Sequence, residues 1–269
     1  MTTDTAMNPI VLAPTTLSET PPLEYIDAAR RAGYDGIGLR LYRSPHLTFF
    51  PIVGDKQLEG EVRKALADSA LQVYDILTCY VAPDMDLDAM KRAHEFGASL
   101  GARYALVIGD DPDWNRMVDN FGRLCDNAKE FGLFCALEAP VNRRALTSLQ
   151  LNLKLLREAA RDNAGISIDP VQFMRAGDTP ELLKGVDVRL TPYTQICDTT
   201  STTPGDSYCM PGDGIVPLTE LLDVLPPGLP LSLEYHHRDD DRYTPVAWAT
   251  HVLDGTRRFL RHYYEAKRA

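Results

Sequence analysis

The sequence predicts a single (β/α)8 barrel of the α/β class, with residues 1–269 forming one domain. Three observations carry that prediction. Eight short apolar or β-branched runs recur along the chain, helix-like segments separate them, and glycine marks several helix-to-strand joints. Continuous apolar strands are what a parallel sheet covered on both faces requires. Strand–helix alternation over roughly 250 residues is the pattern of a closed barrel.

The first strand is PIVLAP near residue 10, and its helix covers 22–32, opening on prolines 21 and 22. Proline suits the first helical position because its fixed φ is already helical and no N–H is lost there. The second strand, GIGLRL at 36–41, is followed by a helix over 56–70. QVYDIL at 72–77 pairs with a helix over 87–100, YALVIG at 104–109 with one over 112–131, and FCALE at 134–138 with one over 148–161. In these helical segments apolar residues recur every three or four positions, which gives each one face for a core. The sixth strand, GISID at 165–169, has only the short TPELLK at 179–184 as its helix. The seventh lies within RLTPYTQIC at 189–197. Pro192 would cost a ladder hydrogen bond inside a strand, so this one starts near Tyr193. A helix over 216–225, the strand LPLSLE at 229–234 and a helix over 245–264 complete the set. The glycines of AGYDG (32–36), LGARY (100–104) and FGLF (131–134) supply left-handed helix ends. The longest irregular stretch, 198–215, carries a PGDG turn at 211–214 and overhangs the predicted barrel mouth as a candidate lid.

Composition narrows the function. Of 269 residues 44% are hydrophobic, enough for a full core, and 28 Lys and Arg against 38 Asp and Glu leave a net charge of −10. That balance argues against non-specific binding to nucleic acid or to an anionic membrane. No apolar run approaches the ~20 residues of a membrane span. The opening MTTDTAMNPIVLAP lacks a basic stretch followed by an apolar one, so it does not read as a signal peptide. Cys79, Cys125, Cys135, Cys197 and Cys209 are odd in number and scattered, without CxxC spacing. Neither a disulfide framework nor a cysteine zinc site follows, and a cytoplasmic setting is expected.

Four polar residues end four successive strand runs: Glu138, Asp169, Gln195 and Glu234. One acidic residue after a strand is usually a helix cap or a surface charge. Four on consecutive barrel strands converge on one mouth, at the end where barrel active sites sit. Three carboxylates and an amide oxygen there form an oxygen-rich cage for one divalent cation, Mn²⁺, Mg²⁺ or Co²⁺. Zinc fits less well, since its sites more often use His or Cys. Arg40 lies within an apolar strand and must reach a polar interior or end, as a structural ion pair or as a substrate contact. Gln172 and Arg175 follow Asp169 closely enough to reach the site, and Arg175 equally suits a role capping the loop. His236 follows Glu234 by two residues, as a substrate contact, a base or a surface residue. His46, His94, His251 and His262 read as structural. GDDPDW at 109–114 is acidic but lacks the spaced ligands of a calcium loop.

LEAP at 137–140, SIDPVQFMRAGDTP at 167–180, QICD at 195–198, MPGDGIVPL at 210–218 and LSLEY at 231–235 together resemble the xylose isomerase-like TIM barrel superfamily. The resemblance covers nearly the whole chain. It is to the sugar phosphate isomerase/epimerase group, which also includes endonuclease IV, tagatose epimerases and 3-dehydroshikimate dehydratases. It implies that Glu138, Asp169, Gln195 and Glu234 bind one cation. It also implies a small polyhydroxylated carbonyl substrate and a homodimer as the candidate assembly. Many members carry His where Gln195 stands; Gln is similar to what the dehydratases show. The D-x-x-H pattern common after the sixth strand reads Asp169-Pro-Val-Gln172 here, and glutamine does not shuttle protons at neutral pH. The Arg usual before the PG-x-G turn is replaced by SYCM at 207–210. Endonuclease IV needs three metals and more histidines than this chain holds.

The expected activity is therefore a metal-dependent isomerase or epimerase. Glu138 and Glu234 would be its base and acid, acting alpha to a carbonyl through a metal-stabilised enediolate. A dehydratase of the 3-dehydroshikimate type uses the same first step and is the second reading. A non-catalytic metal-binding barrel is the third.

Overall fold

A computed structural model describes residues 8–44, 47–143, 145–204, 208–235 and 243–268. Its centre is one eight-stranded parallel sheet. The strands are β1 (Ile10–Leu12), β2 (Gly36–Arg40), β3 (Gln72–Val81), β4 (Tyr104–Gly109), β5 (Phe134–Glu138), β6 (Ala164–Ile166), β7 (Thr194–Ile196) and, after a hairpin, β10 (Leu231–Leu233). Their order is β6-β5-β4-β3-β2-β1-β10-β7. The two outer strands meet: the Gln195 N–H donates to the Ile168 carbonyl at 2.9 Å, and the Thr194 hydroxyl donates to the same oxygen at 2.7 Å. The sheet therefore closes on itself, as the alternation predicted.

Nine helices accompany the strands among the described residues: α1 (Pro22–Ala32), α2 (Lys56–Ala67), α3 (Leu87–Ser99), α4 (Trp114–Lys129), α5 (Leu149–Ala159), α6 (Pro170–Arg175), α7 (Pro180–Leu183), α8 (Leu218–Val224) and α9 (Pro245–Arg268). Side chains on the outward face of the strands, such as Ile37, Leu39, Val107 and Leu233, pack into one core with the helices. The C-cap expected after the first helix is there: Gly33 has φ +88° and donates its N–H to the Ala29 carbonyl. None of the helices in the described residues is long and apolar enough to cross a membrane.

The sixth unit departs most from expectation. β6 ends at Ile166, and Asp169 is the N-cap of α6 rather than the last strand residue. Its Oδ1 accepts from the N–H groups of Val171 (2.8 Å) and Gln172 (3.0 Å), with Pro170 at the first helical position. An Asp-Pro pair is a helix-start signal in its own right, and here it overrides strand propensity. The seventh strand starts at Thr194, next to the expected Tyr193: residues Val188–Leu190 form a 3-10 turn, and pairing begins only after Pro192. Most other boundaries differ by a few residues, as helix and strand ends commonly do.

β6 sits tightly against that turn. A Cβ built on Gly165 would lie 2.2 Å from the Leu190 carbonyl oxygen. A backbone oxygen cannot rotate away, so Gly165→Ala should destabilise the barrel by about 1–3 kcal/mol. Urea unfolding would measure it, and a change below about 0.5 kcal/mol would show that the turn yields freely.

Candidate metal and substrate site

Strand alternation turns every second residue into the barrel. On β5 the inward positions include Ala136 and Glu138, on β7 Gln195, and around β10 Ser232 and Glu234; their neighbours Leu231 and Leu233 face the helices. Glu138, Asp169, Gln195 and Glu234 are all buried. The Gln195 amide Nε2 donates a short hydrogen bond to Glu234 Oε2, and the same side chain hydrogen-bonds Glu138. Burial, then the charges of Glu234 and Asp169, push the Glu138 carboxyl well above the ordinary carboxylate range. Crowded carboxylates behave this way when no cation offsets them.

The eighth-strand carboxylate is held from the other side of the chain. Thr16, in the 3-10 turn Pro14–Leu17 after β1, donates its hydroxyl to the Leu233 carbonyl (2.9 Å) and accepts the Tyr235 N–H (3.0 Å). Both residues flanking Glu234 are thus tied to one side chain.

These four residues suit a divalent cation by their chemistry. Gln195 Oε1 is buried without a hydrogen-bond partner, and the three carboxylates are acceptors that repel one another. A hard cation satisfies such a donor set. Glu138 and Glu234 are linked through the Gln195 amide, and Asp169 acts on Glu138 through its charge. Among the described residues no three His, Cys, Asp or Glu side chains cluster tightly enough to hold an ion by themselves.

The candidate substrate contacts fall in different places. Arg40, at the end of β2, donates Nη1 to the Thr48 carbonyl (3.1 Å), while its Nη2 is buried without a partner. Burial lowers its pKa, and the Glu234 charge opposes that shift. Gln172 spends its amide on the protein: Oε1 accepts the Val141 N–H (3.2 Å) and Nε2 reaches the Tyr208 hydroxyl (3.5 Å). It straps the loop after β5 to the hairpin of β8 (Asp198–Thr199) and β9 (Tyr208–Cys209). Arg175 braces the same irregular segment through Thr199 Oγ1 and the Ser201 carbonyl, both 3.3 Å away, and lies over the Tyr208 ring. His236 lies outside the described residues, as do His46 and Ser207 of SYCM.

Four contributors have no signal in the sequence pattern. Arg143, from the loop after β5, pulls the Glu138 pKa down and donates Nη2 to the Tyr80 hydroxyl at 3.4 Å. Tyr80 lies one residue before the end of β3, near the mouth, and Tyr208 comes over from the hairpin. Asp75 lies deeper, on the inward face of β3. Its Oδ1 is buried and unpartnered. Burial pushes its carboxyl up to about 7, the nearby Tyr193 hydroxyl opposes this, and the Glu234 charge adds to it.

That shift has a definite sign. The folded protein keeps a proton on Asp75 that the unfolded chain, with a pKa near 3.9, releases. The resulting penalty is absent below about pH 4, grows through the window up to about pH 7, and is complete above it. Asp75→Asn should therefore gain stability over the parent as pH rises from about 4 to 7. Urea unfolding in EDTA at several pH values would test this; a pH-independent difference would remove Asp75 as the source.

The acidic GDDPDW segment is structural. Asp111 accepts two hydrogen bonds of 2.7 Å from Arg116, and Asp113 caps α4. The PGDG turn is organised by Asp198, a fully buried carboxylate. It accepts the N–H groups of Thr199 (2.8 Å), Gly212 (2.9 Å), Gly214 (3.1 Å) and Val216 (3.1 Å).

A family model described as the xylose isomerase-like TIM barrel matches residues 26–261. A search of curated proteins returned no match to the sequence. Several solved structures share the fold at low identity. The IolI protein, in a structure with a bound zinc atom, is 18% identical at a TM-score of 0.78, covering 94% of this chain and 98% of its own. D-allulose 3-epimerase from Methylomonas sp. is 16% identical at 0.72, covering 96% and 98%. The probable 3-DHS dehydratase AsbF from Bacillus anthracis is 14% identical at 0.70, covering 92% and 99%.

Proposed function

The chain belongs to the xylose isomerase-like TIM barrel family, and on that footing we propose that it is a divalent-metal-dependent isomerase or epimerase. Its substrate would be a sugar or another polyhydroxylated carbonyl compound. The observation that carries this reading is the buried linkage of Glu138 and Glu234 through the Gln195 amide, with the Asp169 charge beside it. A cation held by Glu138, Asp169, Gln195 and Glu234 would polarise a carbonyl and offset charge developing on its oxygen.

The chain's own residues move the proton. Gln172 is no base, and both ends of its amide are engaged. The work therefore falls to Glu138, which ends β5, and Glu234, which follows β10. One removes a proton from the carbon next to the carbonyl and the other returns one. Return to the opposite face epimerises; return to the neighbouring carbon isomerises. Arg143 and Arg40 add positive charge beside the two carboxylates. Loss of a β-hydroxyl after the same first step would make the protein a dehydratase, a second reading favoured by the amide at position 195.

The test is solvent deuterium incorporation, followed by NMR, into a panel of ketoses and cyclic hydroxyketones with Mn²⁺ or Mg²⁺ present. Exchange that EDTA abolishes is the expected result, and the product then separates epimerase, isomerase and dehydratase. Tight Mn²⁺ binding without exchange on any compound would favour a non-catalytic metal-binding barrel.

A further inference from the structure

Beside the mouth, between the loops that follow β2 and β3, lies a cavity of about 640 Å³. Its inner surface is apolar: Leu41, Tyr42, Val53, Met85 and Met90 contribute to it. Charge lies mostly at the outer edge, where Arg43, Asp84 and Arg92 are exposed, with the half-buried Asp110 at the end of β4 the one carboxylate farther in. Part of that charge is engaged locally, since the Asp86 carboxylate caps α3 and Arg43 lies over the Phe49 ring.

Tyr80 joins this cavity to the candidate site. It lines the cavity, and it is in register with Ile108, which is in register with Glu138. Neighbouring strands lie ~4.8 Å apart, so Tyr80 stands level with Glu138 at about 10 Å. Arg143 spans the interval: its guanidinium is 5.3 Å from the Tyr80 ring centre, and its charge acts on Glu138.

Pockets of ~300–1,000 Å³ hold drug-sized ligands, with apolar walls supplying affinity and a few polar groups fixing orientation. An unsubstituted sugar offers only small C–H faces to walls of Met, Leu and Val and would leave much of this volume to water. We infer that the cavity is a substrate subsite, and that the natural substrate is a polyhydroxylated carbonyl compound bearing an apolar substituent of ring size. The hydroxylated carbonyl end would lie toward Glu138 and Glu234, and the apolar group beyond Tyr80 against Met85 and Met90. This rests on the reaction proposed above for the choice of carbonyl end; the apolar subsite itself does not.

The experiment compares D-fructose with 6-O-benzyl-D-fructose by calorimetry in the presence of Mn²⁺. Burying a phenyl-sized group should make the benzyl compound bind roughly tenfold to a hundredfold tighter. Ala89→Phe and, independently, Met85→Trp fill the cavity without touching the four candidate ligands, and each should erase the preference. Circular dichroism verifies that each variant is folded. Equal affinities, no detectable binding of the benzyl compound, or a preference that survives both fillings would overturn the proposal. Mn²⁺ binding read by electron paramagnetic resonance on the same samples reports the metal site separately. A benzyl preference retained in protein that binds no Mn²⁺ would uphold the subsite and refute the proposed reaction.

Discussion

Glu138→Gln is expected to lower metal-dependent proton exchange by about 10²–10⁴-fold, the range that a positioned acid or base contributes, and to raise the metal-free melting temperature. The two effects have opposite signs for one reason. The Glu138 carboxyl is buried beside Glu234 and Asp169, and its charged form is penalised accordingly. An amide of the same shape removes that penalty while keeping a hydrogen-bonding partner for Gln195. Glu234→Gln should behave alike, because Gln195 donates directly to it. Active sites commonly hold stability below what the fold would otherwise reach. Thermal melts in EDTA together with deuterium exchange in Mn²⁺ measure both quantities. A variant that loses activity and stability together would mark Glu138 as structural.

The largest stability effect is expected at Asp198. Four backbone N–H groups converge on its fully buried carboxylate, two on each oxygen. Asp198→Ala removes the acceptor of all four donors, and those shielded from water, such as the Thr199 and Val216 N–H groups, carry a desolvation cost. At about 1–3 kcal/mol for a donor left unsatisfied, the loss should amount to several kcal/mol. At this chain length each kcal/mol shifts the melting temperature by roughly 2–4 °C. Asp198→Asn keeps one acceptor oxygen and should fall between. The loop is close-fitted, since a Cβ on Gly214 would meet Asp198 Oδ1 at 2.2 Å. A loss below about 1 kcal/mol for Asp198→Ala would mean that the turn holds its shape without the carboxylate.

The residues most legible in the sequence were those whose position follows from strand order. Barrel geometry sends the C-terminal ends of successive strands to one rim, so Glu138, Asp169, Gln195 and Glu234 were readable as a set from four strand ends. Arg143, Tyr80 and Tyr208 were not. Arg143 and Tyr208 reach the site through a loop and a hairpin, whose paths no periodicity encodes. The reading of Tyr80 failed because β3 runs to Val81, four residues past its predicted end. Gln172 was legible as a neighbour of the site but not as a strap, because its partners, Val141 and Tyr208, lie 31 and 36 residues away. Asp75 was hidden differently: its strand was identified, but one acidic residue in an apolar run does not say which face it takes. The Asp-Pro pair at 169–170 did carry a helix signal, and the apolar run ahead of it masked that signal.

The stitch that shuts the cylinder is made by the peptide group of residue 195 beside the Thr194 hydroxyl, while the side chain of residue 195 looks into the bore. Structural duty and chemical duty are thus divided between two parts of a single amino acid. Replacing the amide with an imidazole would alter what the bore offers a guest and leave the wall sealed, so the position is free to vary in chemistry without loosening the architecture.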